Sequence, residues 1–89
     1  MEPIDIVEAK DIAAEAAEEL VKARRKFAGF NSAHEGYAVL LEEVDELWDH
    51  VKTNQTKRNA KEMRKECIQI AAMAMRFAIE ICDEQEGRK

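Results

Sequence analysis

Residues 64–82 read RKECIQIAAMAMRFAIEIC. The stretch is almost wholly apolar, but Glu66, Gln69, Arg76 and Glu80 interrupt it. At about 100° per residue, Glu62, Glu66, Gln69, Met73, Arg76 and Glu80 fall on one narrow strip of a helix. Arg58 and Lys65 flank that strip, and nearly every other position from Cys67 onward is apolar. A helix apolar on most sides is surrounded by protein. Two further helices can barely surround it, so the pattern predicts a second subunit packed on this helix, with Ala72 and Ile79 on the faces offered to it. The polar strip then lines a cleft or faces water. In the plainer case Arg76 and Glu80 are an ordinary i,i+4 ion pair on a solvated edge.

Working outward, the chain has room for one domain of 89 residues, 1–89, and a domain of that size buries a limited core. Three glycines and one proline leave few breaks, which favours long helices. The first helix is expected over about 3–28, with Pro3 in its first turn and a stripe of Ile6, Ala9, Ala13, Ala16, Leu20 and Phe27. Lys22, Arg24, Arg25 and Lys26 suit the negative end of that helix, and Gly29 breaks the pattern. Ser32 and Glu35 form a capping box for a second helix over 33–52, whose stripe is Tyr37, Leu40, Leu41, Val44, Leu47, Trp48 and Val51. After a turn at 53–56, a third helix is expected over 58–83, capped by Asn59 with Glu62 or by Thr56. A frayed tail follows over 84–89. The fold class is all-α: a three-helix subunit of an antiparallel helical bundle completed by oligomerisation.

A net charge of −5 disfavours a nucleic-acid coat. Residues 1–20 are acidic and lack a central apolar run, and 67–82 is too short and interrupted to span a bilayer. A cytoplasmic location with no membrane partner is the expectation, and Cys67 and Cys82 read as reduced, buried thiols.

Residues 41–48 read LEEVDELW. Glu43 and Glu46 stand one turn apart, and the third helix offers Glu66 and Gln69 at the same spacing. Facing each other, the two helices bring three carboxylates and an amide oxygen into a small volume. Like charges that close repel unless a proton or cation neutralises them. Hard oxygen donors favour Mg²⁺ or Mn²⁺, and glutamates projecting from facing helices are a recurrent carboxylate metal site.

These residues carry a resemblance. The chain resembles the MazG-like branch of the all-α nucleoside triphosphate pyrophosphohydrolases, which carries E-E-x-x-E on one helix and E-x-x-D on a following one. Glu42-Glu43-Val44-Asp45-Glu46 supplies the first element, and Glu66-Cys67-Ile68-Gln69 stands where the second belongs. HEGYAVLLEEVDELW followed by KECIQIAAMAMRF also looks like a subgroup of small phage and bacterial MazG-like proteins. The resemblance implies metal-dependent hydrolysis of a nucleoside triphosphate to monophosphate and pyrophosphate. It implies Glu43, Glu46 and Glu66 as metal ligands and Glu42 as a supporting or water-positioning group. Gln69 replaces the family's Asp and brings no charge. The implied protein is a homo-oligomer, dimer or tetramer.

For phosphate oxygens the candidates are Arg58, Lys65 and Arg76, or these are solvated charges. For a base they are Asn31 and His34, with Phe30 and Tyr37 able to stack; alternatively Phe30 and Tyr37 belong to the core and His34 is merely exposed. His50 lies near the acidic face. Two rival functions remain: a phosphoribosyl-ATP pyrophosphohydrolase-like enzyme, and a helical oligomerisation or adaptor protein without catalysis.

Overall fold

A computed structural model describes residues 4–53 and 55–87. The chain forms α1 (Ile4–Lys26), α2 (Ala33–Val51), a short 3₁₀ turn (Gln55–Lys57) and α3 (Ala60–Phe77). From Phe77 the last helix continues unbroken as a π-helical segment over Ala78–Glu86. Pro3, Asn54 and the last two residues of the expected tail lie outside the described residues.

Local chemistry accounts for the boundaries. The Glu35 N–H donates to the Ser32 hydroxyl at 3.1 Å, which caps α2. The Glu35 carboxylate does not return to Ser32 but accepts from the Asn31 backbone N–H and side-chain amide, both at 3.0 Å. At α3 the cap is Asn59, whose side chain accepts from the Glu62 N–H at 3.1 Å. The predicted fraying from residue 84 does not occur: the helix runs to Glu86, because Glu84 and Gln85 find partners on α1 and on the α1–α2 turn.

α3 is the shared element. α1 and α2 each pack along it and make no extended contact with one another. Glu15 meets Arg64 and Arg24 meets Glu84, so α1 runs parallel to α3. Gly36 lies against Phe77 and Glu43 reaches Glu66, so α2 runs antiparallel to it. The core is small: Ala16 and Leu20 from α1, Phe30 from the turn, and Ile68, Ala72, Met73 and Ile81 from the last helix.

Three expectations change here. Ala72 is 0 % exposed within the single chain and so is not open to a partner, and Ile79 is half-buried against the same core. Among the described residues, the exposed large apolar side chains lie instead on α1 and α2 and at Phe27 just after α1. Cys67 and Cys82 are exposed rather than buried. Tyr37 is exposed while Phe30 is buried, so the two aromatic rings separate. Among the described residues no helix is long and apolar enough to cross a membrane.

Candidate metal centre

The polar strip of α3 runs in the valley between α1 and α2, and its two ends have different fates. At the C-terminal end it is buried. Glu80 accepts from the Phe30 backbone N–H at 2.8 Å and pairs with Arg76 at 3.1 Å and with Arg24 at 3.2 Å. Arg76 donates to the Ala28 carbonyl at 2.7 Å, and its guanidinium lies 4.0 Å from the centre of the Phe30 ring. Gln85 donates to the Phe30 carbonyl at 2.6 Å. Both buried charges are thus paired and hydrogen-bonded, which is the condition for burying them. Of the two readings of the strip, the solvated edge fails at this end, where Arg76 and Glu80 form a clamp that holds the α1–α2 turn.

Further toward the start of α3 the strip becomes acidic. Carboxylate oxygens of Glu43, Glu46 and Glu66 lie within 4.8 Å of one another. Antiparallel packing brings this about: Glu43 shares the inward side of α2 with Leu40 and Leu47, and Glu66 sits opposite on the strip. Glu46 stands one turn on, at the edge of the same side. Partial burial, reinforced by the charges of Glu46 and Glu66, pushes the Glu43 carboxyl up to about 7. Burial also raises Glu66, with the Glu46 carboxylate adding to the rise and His50 opposing it. Either a proton or a bound cation relieves that repulsion. The Oε2 atom of Glu66 is shut off from solvent and has no hydrogen-bond partner.

A second group shares Glu66: His50, Glu62 and Glu66 also converge within 4.8 Å. His50 thus reaches the acidic cluster. Glu62 was legible on the strip, but as a capping residue rather than a site member.

Beside the carboxylates opens a cavity of about 420 Å³. Glu42, Glu43 and Gln69 line its acidic side, and Phe27, Phe30 and Arg76 line the other. Gln69 thus shares the cavity with Glu43, one turn from Glu66 on the α1 side. The remaining candidates sit elsewhere. Arg58 donates from Nε to the Val51 carbonyl at 2.8 Å and so closes the end of α2. Lys65 is exposed on the α1 side, in a groove with Glu15 and Glu62. Asn31 is tied to Glu35, His34 is exposed, and neither lines the cavity. Of the phosphate candidates only Arg76 reaches the cavity, and its guanidinium is already engaged. Phe27 and Glu35, which the sequence did not single out as site residues, line it.

The donor set suits a hard divalent cation. It is all oxygen, its crowding helps to push the Glu43 carboxyl up to about 7, and it contains one buried oxygen without a partner. No protein-family model, curated protein or solved structure matches this chain.

Proposed function

We propose that the chain is a Mg²⁺- or Mn²⁺-dependent nucleotide pyrophosphohydrolase, with Glu43, Glu46 and Glu66 as the ligand set. The observation that carries this reading is the unpartnered, solvent-shielded oxygen of Glu66 inside a carboxylate triad at the edge of a nucleotide-sized cavity. A bound divalent cation supplies neutralisation of phosphate oxygens and a more acidic bound water.

The chain's own residues do the rest. Glu43, whose carboxyl burial and its neighbours push up to about 7, would be held in its charged form by the cation. Glu42, exposed at the cavity rim, orients a water. Phe27, which is exposed at the cavity, presents ring surface to a base. Arg76, stacked on Phe30 and paired with Glu80, lends the cavity wall a fixed cationic face without a free guanidinium fork.

A pyrophosphate-release screen over nucleoside triphosphates and phosphoribosyl-ATP, with Mg²⁺ and with Mn²⁺, tests the reaction. The expected result is release from at least one nucleoside triphosphate, reduced about a hundredfold or more in Glu66→Gln. Release from phosphoribosyl-ATP alone would move the assignment to that enzyme class. No release from any substrate, with divalent binding intact, would leave a metal-binding protein without this reaction.

A further inference from the structure

His50 and Glu62 take no part in the carboxylate triad, yet they meet it at one residue. Carboxylate oxygens of Glu62 and Glu66 and an imidazole nitrogen of His50 lie within 4.8 Å of one another, and the two groups share Glu66 alone. Helix geometry explains the meeting. Glu62 and Glu66 stand four apart on α3, so both leave one face a turn apart. On α2, His50 follows Glu43 and Glu46 at spacings of three and four, which carries the same face one turn further toward the start of α3. The backbones of Glu43 and His50 are thus about 10 Å apart along the axis of α2. Two donors to one ion stand no more than about 4 Å apart. An ion held by His50 is therefore a second ion, not the one in the triad.

Two features set this group apart from an ordinary charged surface. One donor is an imidazole nitrogen, which suits borderline transition-metal ions, where an all-oxygen group suits Mg²⁺. The group is also the better shielded of the two: His50, Glu62 and Glu66 are all half-buried, whereas Glu46 of the triad is exposed. Within it, the Oε2 atom of Glu66 is shut off from solvent and has no hydrogen-bond partner. Such an oxygen costs stability until a donor or a cation meets it. Donors around a Zn²⁺ ion stand about 3–3.5 Å apart, so the three need to close by no more than about 1.5 Å, which side-chain rotation supplies. Three protein donors leave the fourth position of a tetrahedral ion to water.

We propose that His50, Glu62 and Glu66 bind a borderline divalent cation of the Zn²⁺ type, through one nitrogen and two oxygens, beside the all-oxygen triad. The site does not rest on the nucleotide reaction. Its only tie to the triad is Glu66, whose loss removes both ions.

The chain's two histidines make the test direct, because His34 is exposed, lies outside both groups and serves as an internal control. Imidazole NMR signals are followed through a Zn²⁺ titration near pH 7, and thermal melts with Mg²⁺ report the triad separately. All proteins carry Cys67→Ser and Cys82→Ser, since both thiols are exposed and would take Zn²⁺ themselves. The expected result is a saturable shift of the His50 signals with those of His34 unmoved. Zn²⁺ affinity falls at least about tenfold in His50→Gln and in Glu62→Gln, while the rise in Tm that Mg²⁺ gives stays as in the parent. Glu43→Gln keeps the His50 shift. Far-UV circular dichroism checks that each variant keeps its helicity. His50 signals that Zn²⁺ leaves unmoved, or a Zn²⁺ affinity unchanged in both variants, overturn the proposal. So does a His50 shift that is lost in Glu43→Gln and kept in Glu62→Gln, because the imidazole then serves the triad's ion. The His50 shift decides this site whether or not Mg²⁺ binds the triad.

Discussion

A carboxyl that titrates near 7 gives the Glu43 site a distinct pH signature. The folded state raises Glu43 from an ordinary value of 4.5 to about 7, so it favours the protonated form. In the presence of a chelator, the stability tied to that proton is fully present below about 4.5 and is lost as pH rises through about 7. Thermal melts across that range are expected to show Tm falling toward the alkaline end. Glu43→Gln keeps the shape and removes the charge, so it flattens the decline and raises the chelated Tm above pH 7 by about 5 °C, the scale of ~1 kcal/mol in a domain of this size. Gln69→Asp acts in the opposite sense. It adds a charge to the cavity that Glu43 already lines, so it lowers the chelated Tm and tightens Mn²⁺ binding by about tenfold. Unmoved melts in both variants would make the cluster an ordinary charged surface. At the other end of the strip, Glu80→Ala strands the buried Arg76 and the Phe30 N–H and is expected to cost about 3–5 kcal/mol by denaturant unfolding. Glu80→Gln costs less, because an amide oxygen still accepts from Phe30.

Among the elements, the closest packing is between α2 and the last helix. A Cβ at Gly36 would lie 2.7 Å from Cδ2 of Phe77 and 3.0 Å from Cδ2 of Phe30. Alanine gains about 1 kcal/mol of helix propensity there, but two ring edges must move, at about 1–3 kcal/mol. Gly36→Ala is therefore expected to be net destabilising in urea unfolding, and a stabilised variant would show that α2 sits further from Phe77. The π-helical segment has a visible task. Its i→i+5 winding takes more residues per turn, which brings Gln85 round to the side of Glu80 and lets both hold the α1–α2 turn.

Helix positions were legible because they rest on local chemistry: Ser32 and Asn59 cap where the sequence places caps, and few glycines intervene. The meeting of Glu43, Glu46 and Glu66 was legible for the same reason, since helical spacing alone puts them on facing strips. The fate of Arg76 and Glu80 was not, because their partners Ala28 and Phe30 lie 48 and 50 residues away in sequence. Periodicity also gave α2 one broad apolar stripe and could not say which arc α3 would cover, since Leu40 and Leu41 look alike to it.

At the scale of the whole molecule, α3 is flanked by both other helices, and the exposed large apolar side chains among the described residues belong to α1, to α2 and to Phe27 just after α1. Glutamate at Ala72 is therefore expected to unfold the subunit rather than separate two subunits, seen as loss of helicity rather than a change of mass alone. The acidic cluster and the exposed side chains of Tyr37, Leu41, Val44 and Trp48 lie on different sides of α2.

The central claim, that Glu43, Glu46 and Glu66 form a divalent-cation site, is tested most directly by calorimetric titration of Mn²⁺ near pH 7. The unaltered chain and Glu66→Gln are compared in two buffers of different ionisation enthalpy. The predicted result is saturable binding by the unaltered chain with proton release, because Glu43 must lose its proton, and binding at least about tenfold weaker in Glu66→Gln. Equal affinity in the two proteins, or no binding in the unaltered chain, would contradict the account.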